Sequence, residues 1–235
     1  MSDFHNDFHE SLGLPERYSI ESLAGRGGFG VVYKAHDAEL NTAVAIKVAD
    51  MHHMNNPKFS ARWHREISLN ARLRHPRIVP VFDIGETRHG QPYVTMGFAG
   101  NGDLASYLKQ GPSRLSVLTL LIDALDGLAA LHSWRIIHQD IKPDNILIDS
   151  DGRALIADLG VSATKAELVV NPKGIAGTPE FMSPEQQQRL PQEMGPWSDL
   201  YAVGRILDLL DHDIGPLQPL LDVLLTADPL MRIDS

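Results

Sequence analysis

Cysteine is absent from this chain of 235 residues. No disulfide framework and no thiolate metal site can therefore contribute to its fold, and a cytoplasmic location is expected. Runs of ~18 or more uninterrupted apolar residues are also missing, so no membrane span or membrane partner is expected. The opening MSDFHNDFHE is polar and acidic and lacks the basic-then-apolar order of a secretory signal. Positive charge is scarce: 21 Lys and Arg stand against 30 Asp and Glu, for a net charge of −9. Without a sustained basic stripe, nucleic acid is not an expected partner, because phosphate neutralisation supplies most of that affinity. Among the eleven histidines, His5/His9 and His52/His53 lie in polar stretches without acidic partners at ligand spacing. Solvated histidines are expected there rather than a metal site.

What the chain does have is a change of character near residue 100. From Tyr18 the runs YSIESLAG, FGVVYKAHD and TAVAIKVAD alternate like strands, separated by Gly27-Gly28 and Asn41. MHHMNNPKF reads as a connection, and SARWHREISLNARLRH as a helix that stops before Pro76. RIVPVFDIG and QPYVTMGFA add two strands, so the first part is an antiparallel β lobe with one helix. Beyond the glycine-rich FAGNGDL, helical periodicity takes over. Leu118, Leu121, Leu125, Leu128 and His132 recur at spacings of three and four, predicting one buried face. NILID and ALIAD flank Asp151-Gly152, a hairpin signal, and the stretch from about 160 to 185 reads as irregular. The expected class is α+β with two lobes. Residues 1–17 form a flexible leader, about 18–96 the N-lobe, 97–102 a hinge and 103–235 the C-lobe.

Three stretches concentrate chemistry. HQDIKPDN, from His138 to Asn145, places an acid, a lysine and an amide within eight residues. In GRGGFGVV, Gly25, Gly27 and Gly30 have the G-x-G-x-x-G spacing that lets backbone N–H groups approach phosphates. A dinucleotide-binding fingerprint would lead from that loop into a helix, whereas Val31-Val32-Tyr33 is strand-like, so a glycine-rich hairpin over a nucleotide fits better. In VAIK, Lys47 sits in an apolar β-branched run. It is either an outward edge-strand lysine or one that needs an anionic partner, for which Glu66 on the following helix is available.

Taken in order, the glycine loop, VAIK, the helix glutamate and HQDIKPDN resemble a protein kinase. Asp158-Leu159-Gly160 is similar to the family's D-F-G, Ser183-Pro184-Glu185 to its A-P-E, and Asp228-Pro229 with Arg232 to its late D-P-x-x-R. Asp199 stands where the family places a loop-bracing aspartate. The resemblance implies a bilobal α+β fold and catalytic roles for Asp140, Lys142, Lys47 and Glu66. Asp140 would orient a substrate hydroxyl, Lys142 would offset charge on the moving phosphoryl group, and Lys47 would grip the α/β phosphates. Asn145 and Asp158 would hold Mg²⁺, with Mn²⁺ as the alternative ion. ATP would lie between the lobes, against Ala24, Val32 and Ala45 on one side and Leu147 on the other. Gly25, Gly27 and Gly30 would sit over its phosphates. Met96 would be the gatekeeper, with backbone groups of Gly97 and Ala99 reading adenine. Glu185 and Arg232 would form a structural ion pair. Lys142 with Gly177-Thr178 resembles serine/threonine kinases, in which that threonine bridges the catalytic aspartate and lysine. The implied partner is a protein substrate, and the sequence sets no oligomeric state. A pseudokinase-type ATP-binding module and a small-molecule phosphotransferase of related fold are the alternatives.

Three positions depart from the family pattern. Gln139 replaces the arginine before the catalytic aspartate, which in the family often meets a loop phosphate. This non-RD character predicts activity without phosphorylation in 161–177. After YAVGRILDLL the chain reaches PLQPLLDVLL within a few residues, so the family's docking helix there is expected to be missing or shortened, as is its last helix. This is the pattern of a compact, bacterial-like member, or of a piece of a longer protein. Asn70 takes an apolar spine position one turn after Glu66 and needs a hydrogen-bond partner.

Overall fold

A computed structural model describes residues 12–27, 30–210 and 215–232. The chain divides into two units: one runs to Arg74 and resumes at Val79–Ala99, and the other joins His75–Ile78 to everything from Gly100 onward. The second division, at Ala99/Gly100, lies within the 97–102 stretch.

The first unit is a five-stranded antiparallel sheet in the order β1-β2-β3-β5-β4. Its strands are β1 (Tyr18–Gly27), β2 (Gly30–Asp37), β3 (Thr42–Ala49), β4 (Val81–Glu86) and β5 (Pro92–Gly97). Side chains alternate across a strand, so each β3 residue serves one face only. Val44, Ile46 and Val48 pack with Tyr18, Ile20, Tyr33, Ala35 and Tyr93 on one face. Ala49 and Val94 pack on the other, against Trp63 and Ile67 of helix α2 (Pro57–Arg72). Burial of Trp63 and Ile67, worth roughly 1.5–3 kcal/mol each, seats that helix on the sheet.

Two expectations change here. MHHMNNPKF is not a plain connection, since Met51–Met54 makes a short helix, α1, and α2 already begins at Pro57. Proline suits the first turn of a helix, where its missing N–H costs nothing. The tail of the proposed leader is also part of the fold. Leu14 is fully buried in the Tyr18 cluster, and the Gly13 carbonyl accepts a 2.7 Å hydrogen bond from the Arg88 N–H. Residues 1–11 lie outside the described residues.

The second unit is built on α4 (Arg114–Ser133), preceded by α3 (Leu104–Leu108). The buried stripe of α4 runs through Val117, Leu120, Leu121, Ala124, Leu128 and Leu131. Leu121 and Leu128 belong to it as expected, but Leu118 is only half-buried and Leu125 is exposed. Apolar residues circle most of this helix, so spacing alone cannot tell which stripe meets the core. Its length and mean hydropathy of 1.6 would also suit a membrane crossing. Its one buried acid argues for a core helix: Asp123 accepts two hydrogen bonds from Arg153, at 2.8 and 2.7 Å, and pairs with Arg77 at 3.1 Å. This cluster, with the Ile156 N–H donating to the Arg77 carbonyl at 2.8 Å, explains why residues 75–78 belong to the second unit.

Beyond α4 come three short strand segments, β6 (Ile136–Ile137), β7 (Ile146–Ile148) and β8 (Ala154–Ile156), of which β7 and β8 form the expected hairpin. The stretch expected to be irregular holds β9 (Ala163–Thr164), paired with β6, and a six-residue helix, α5 (Lys165–Val170). A local capping box starts α5: the Thr164 Oγ1 accepts from the Glu167 N–H, and the Glu167 carboxylate accepts from the Thr164 N–H. The Thr164-x-x-Glu167 spacing is the sequence signal for this start, while six residues are too few to show helical periodicity. Then follow α6 (Pro184–Gln187), α7 (Pro196–Asp208) and α8 (Gln218–Leu224). Gly204 lets α7 and α8 meet closely, since an added Cβ would lie 2.9 Å from that of Leu224. Between α7 and α8 the described residues include the 3₁₀ turn Gly215–Leu217.

Candidate active site

The functional side chains fall into one group per unit. In the first unit, β2, β3 and β5 align Val32 opposite Lys47, Lys47 opposite Val94, and Ala45 opposite Met96. Directly paired residues share a face, so Val32, Ala45, Lys47 and Met96 stand together on the α2 side. The Lys47 Nζ lies 2.6 Å from Glu66 Oε1, with both side chains largely buried, and 5.5 Å from the Trp63 ring. The inward-facing alternative is the one realised. Glu66 falls in the buried 63–67 stripe of α2, so the apolar periodicity of the helix aims the carboxylate at the strand. Asn70 meets its need locally, donating to the Glu66 carbonyl at 3.1 Å.

The glycines differ in what they do. Gly30 has φ +143, and a Cβ there would lie 2.0 Å from the Val48 carbonyl oxygen, so the β2–β3 approach demands glycine. At Gly25 nothing lies within 4 Å of where a Cβ would stand. Gly27 pairs with Gly30 in the β1–β2 register, and Ala24 falls at the bulge between Leu23 and Gly25. The tip of the loop, Gly28 and Phe29, lies outside the described residues. At the end of β5 the Gly97 N–H donates to the Pro80 carbonyl at 2.9 Å, so of its backbone groups only the carbonyl could meet a base. Ala99 is the last residue of this unit, half-buried.

In the second unit the HQDIKPDN loop closes a triangle with Thr178. The Lys142 Nζ donates to Thr178 Oγ1 at 2.9 Å, Thr178 donates to Asp140 Oδ1 at 2.7 Å, and Lys142 lies 3.1 Å from Asp140 Oδ2. Burial pushes the Asp140 carboxyl upward, but the Thr178 and Lys142 hydrogen bonds outweigh it and leave it below the ordinary carboxylate range. Asp140 is therefore an ionised acceptor at neutral pH. Asn145 donates its amide to the Asp140 carbonyl at 2.8 Å and to Asp140 Oδ2 at 3.2 Å. Leu147, half-buried on β7, lies opposite Leu155 of β8.

Beneath the triangle the loop is braced from several sides. Asp199, 1% exposed, accepts from the N–H groups of His138 and Gln139 at 2.8 and 2.9 Å, and its Oδ2 lies 2.8 Å from His132 Nε2. Gln139 holds a positive φ of 71°, an uncommon conformation kept by its surroundings. Its side-chain amide donates to the Val161 carbonyl, at the start of the stretch that leads to Thr178. Leu168 and Ile175 of that stretch are buried with Ile137, Ala163 and Met194. Below this lies the expected ion pair, fully buried: Arg232 donates to Glu185 Oε1 at 2.7 Å and to Oε2 at 3.0 Å. Burial opposes ionisation of Glu185, while the Arg232 guanidinium and other donors hold its pKa low. Sequence reasoning missed the Asp123 arginine cluster, the His132–Asp199 contact and the role of Gln186. Their partners lie tens of residues away, at no periodic spacing.

The donor set suits a hard cation. With its amide nitrogen committed to Asp140, Asn145 offers a carbonyl oxygen, and the Ala157 N–H ties the Asn145 backbone carbonyl at 3.0 Å to the residue before Asp158. Asp158 adopts φ +60 and keeps an exposed carboxylate, with Oδ1 accepting from Gly160 N–H at 3.3 Å. Two oxygen donors on one braced loop system fit Mg²⁺, which usually keeps waters and substrate phosphates as its other ligands. Among the described residues, no group of three or more His, Cys, Asp or Glu gathers as a metal cluster.

Residues 18–213 match a family model described as protein kinase domain. The chain is 33% identical over 206 residues to the probable serine/threonine-protein kinase SCO3848 of Streptomyces coelicolor, covering 84% of this chain and 30% of that protein. It is 36% identical over 199 residues to the serine/threonine-protein kinase PknL of Mycobacterium tuberculosis, covering 83% and 49%. It is also 36% identical over 200 residues to the DNA damage-responsive serine/threonine-protein kinase RqkA of Deinococcus radiodurans, covering 83% and 29%. The chain thus spans less than half the length of each of these three relatives.

Proposed function

The chain belongs to the protein kinase domain family, and we propose that it transfers the γ-phosphoryl group of ATP to serine or threonine hydroxyls of proteins. The observation that carries this reading is the Asp140–Thr178–Lys142 triangle. An ionised carboxylate is fixed there as acceptor, and a cation stands beside it.

Each residue then has a definite task. Asp140 accepts a hydrogen bond from the substrate hydroxyl and aims its oxygen at the γ-phosphorus in line with the leaving β-phosphate oxygen. As the new P–O bond forms, the hydroxyl proton passes toward Asp140 and ADP departs with the electron pair of the broken bond. Lys142 offsets charge on the moving phosphoryl oxygens, and Lys47, aimed by Glu66, holds the α/β phosphates. Asn145 and Asp158 are the residues that would hold Mg²⁺, which when bound neutralises phosphate charge. Val32, Ala45 and Met96 supply an apolar face for adenine.

The same reading holds that phosphorylation within 161–177 is not required. It is supported by the neutral contact from Gln139 to Val161 and by the burial of Leu168 and Ile175. These ties need no loop phosphate to form.

The test is thermal stabilisation by ATP and Mg²⁺ followed by radiolabel transfer to the chain itself and to a generic protein substrate, with Asp140→Ala as control. The expected result is stabilisation of both proteins and transfer by the parent only. Stabilisation without transfer by the parent would replace this reading with an ATP-binding module.

A further inference from the structure

Gln186 lies one residue after the ion-paired Glu185 and is 3% exposed. Its side-chain nitrogen has two N–H donors, and both are spent on backbone carbonyls, Gln139 at 2.6 Å and Ala176. The first carbonyl belongs to the residue immediately before Asp140, the second to the residue two before Thr178. Between them sits Gly177 at φ +142, so closely fitted that an added Cβ would lie 2.5 Å from the Gln139 oxygen and 2.8 Å from Gln186 Nε2. Among the described residues, this amide and the Thr178 hydroxyl are the polar ties between residues 176–178 and the catalytic loop. Two carbonyls brought together in a buried place repel unless a donor stands between them, and a primary amide is the compact uncharged group that donates twice.

We infer that Gln186 is a positioning residue for phosphoryl transfer, holding Gly177-Thr178 against the catalytic loop so that the threonine hydroxyl meets Asp140 and Lys142 in a single geometry. It touches neither nucleotide nor substrate. It acts through Thr178, and its loss should appear in kcat rather than in ATP binding.

The inference rests on the phosphotransfer reading for its rate measurement and on local structure for an independent one. Gln186→Met keeps the length and volume of the side chain and removes both donors. The expected result is a fall in kcat of about tenfold or more, with KM for ATP within about twofold of the parent. Thr178→Val should lower kcat by itself. In that background Gln186→Met should cost less than about twofold further, because both changes cut one path. Additive losses in the double variant, or an unchanged kcat in Gln186→Met, would overturn the inference. Hydrogen exchange on the same proteins reads the tie without any activity. The N–H groups of Phe181 and Met182 both bond the Thr178 carbonyl, at 2.9 and 3.1 Å. Their protection should drop in Gln186→Met while that of α7 is kept. Retained protection at 181–182 overturns the inference even if the parent transfers no phosphate, an outcome that would separately remove the phosphotransfer reading.

Discussion

The two groups of functional residues are stabilised in opposite ways. In the first unit, sheet register and one helix stripe bring Lys47 to Glu66, and the meeting is an ion pair beside an aromatic ring. In the second, Asp140 is fixed by Thr178, Lys142 and Asn145, while its loop hangs from Asp199 and the Thr178 segment is tied by Gln139 and Gln186. A grip on phosphates tolerates some play. An acceptor that must meet a hydroxyl in line does not, because catalysis through positioning is lost with small displacements. The contrast implies that damage to the first group is local and graded, whereas damage beneath the second spreads through the unit.

The largest effect is expected where the braced half rests on a buried charge pair. Arg232→Met leaves Glu185 buried without its cation, which should cost about 3–5 kcal/mol of stability. Urea unfolding checks it, and pH sharpens it. In the parent, Glu185 has a lowered pKa, so its contribution is complete above the ordinary carboxylate range of about 4 and is lost as pH falls through the lowered value. In the variant the buried acid loses the cation that held its pKa down, and protonation relieves it instead. The difference in urea midpoint should therefore be widest near pH 7 and shrink toward pH 4. A difference independent of pH would detach the effect from Glu185 and weaken the contrast between the halves.

How much of each half was legible in the sequence follows from the range of its contacts. The Lys47–Glu66 pair was one of two alternatives open in the sequence, and the register that sets Lys47 opposite Val32 and Val94, with the α2 stripe that sets Glu66 beside Ile67, chose it. The Thr178 bridge and the Glu185–Arg232 pair were legible only through resemblance, since sequence spacing cannot bring residues dozens apart together. The buried stripe of α4 was misread because its helix is apolar on several sides, and core contact rather than period chose Leu120 and Leu131 over Leu125. The start of α5 was legible, since Thr164-Lys165-Ala166-Glu167 before Leu168 is a capping-box signature, but its six residues are too few for a periodic signal. Gln186 gave no sign of itself: a glutamine after S-P-E reads as an exposed polar residue until both its donors are seen on carbonyls.

The graded half should show an intermediate effect. Glu66→Gln keeps the shape of the partner and removes its charge, so an ion pair becomes a hydrogen bond from the Lys47 ammonium to an uncharged amide oxygen. That is worth about 1.5–3 kcal/mol, or about ten- to a hundredfold in kcat/KM for ATP. The Trp63 ring at 5.5 Å from Lys47 remains to hold the ammonium near its place. The urea midpoint should therefore move little, in contrast to Arg232→Met. A Glu66→Gln protein that unfolds as readily as Arg232→Met would erase the distinction between a local grip and a structural brace.

The smallest expected effect bears on whether the braced half assembles without phosphate. Ser162 and Thr164 are the hydroxyls of the 161–177 stretch, and each already has a structural partner. Ser162 Oγ donates to the His138 carbonyl at 3.3 Å in a buried position, and Thr164 caps α5 through Glu167. Replacing both by alanine removes one long hydrogen bond and one cap, each worth about 1 kcal/mol, so some loss of thermal stability is expected. Activity below the melting range should stay within about twofold of the parent, because Gln139 and Gln186 still tie the segment to the loop. Steady-state phosphorylation of a protein substrate, begun from phosphatase-treated enzyme, separates the two outcomes. If the treated parent is slow and accelerates with autophosphorylation while the double variant stays slow, a loop phosphate is what completes the site. The second half would then be no better braced than the first. If both start at full rate, the neutral glutamine ties suffice, and the division between a graded grip and a prebuilt acceptor stands.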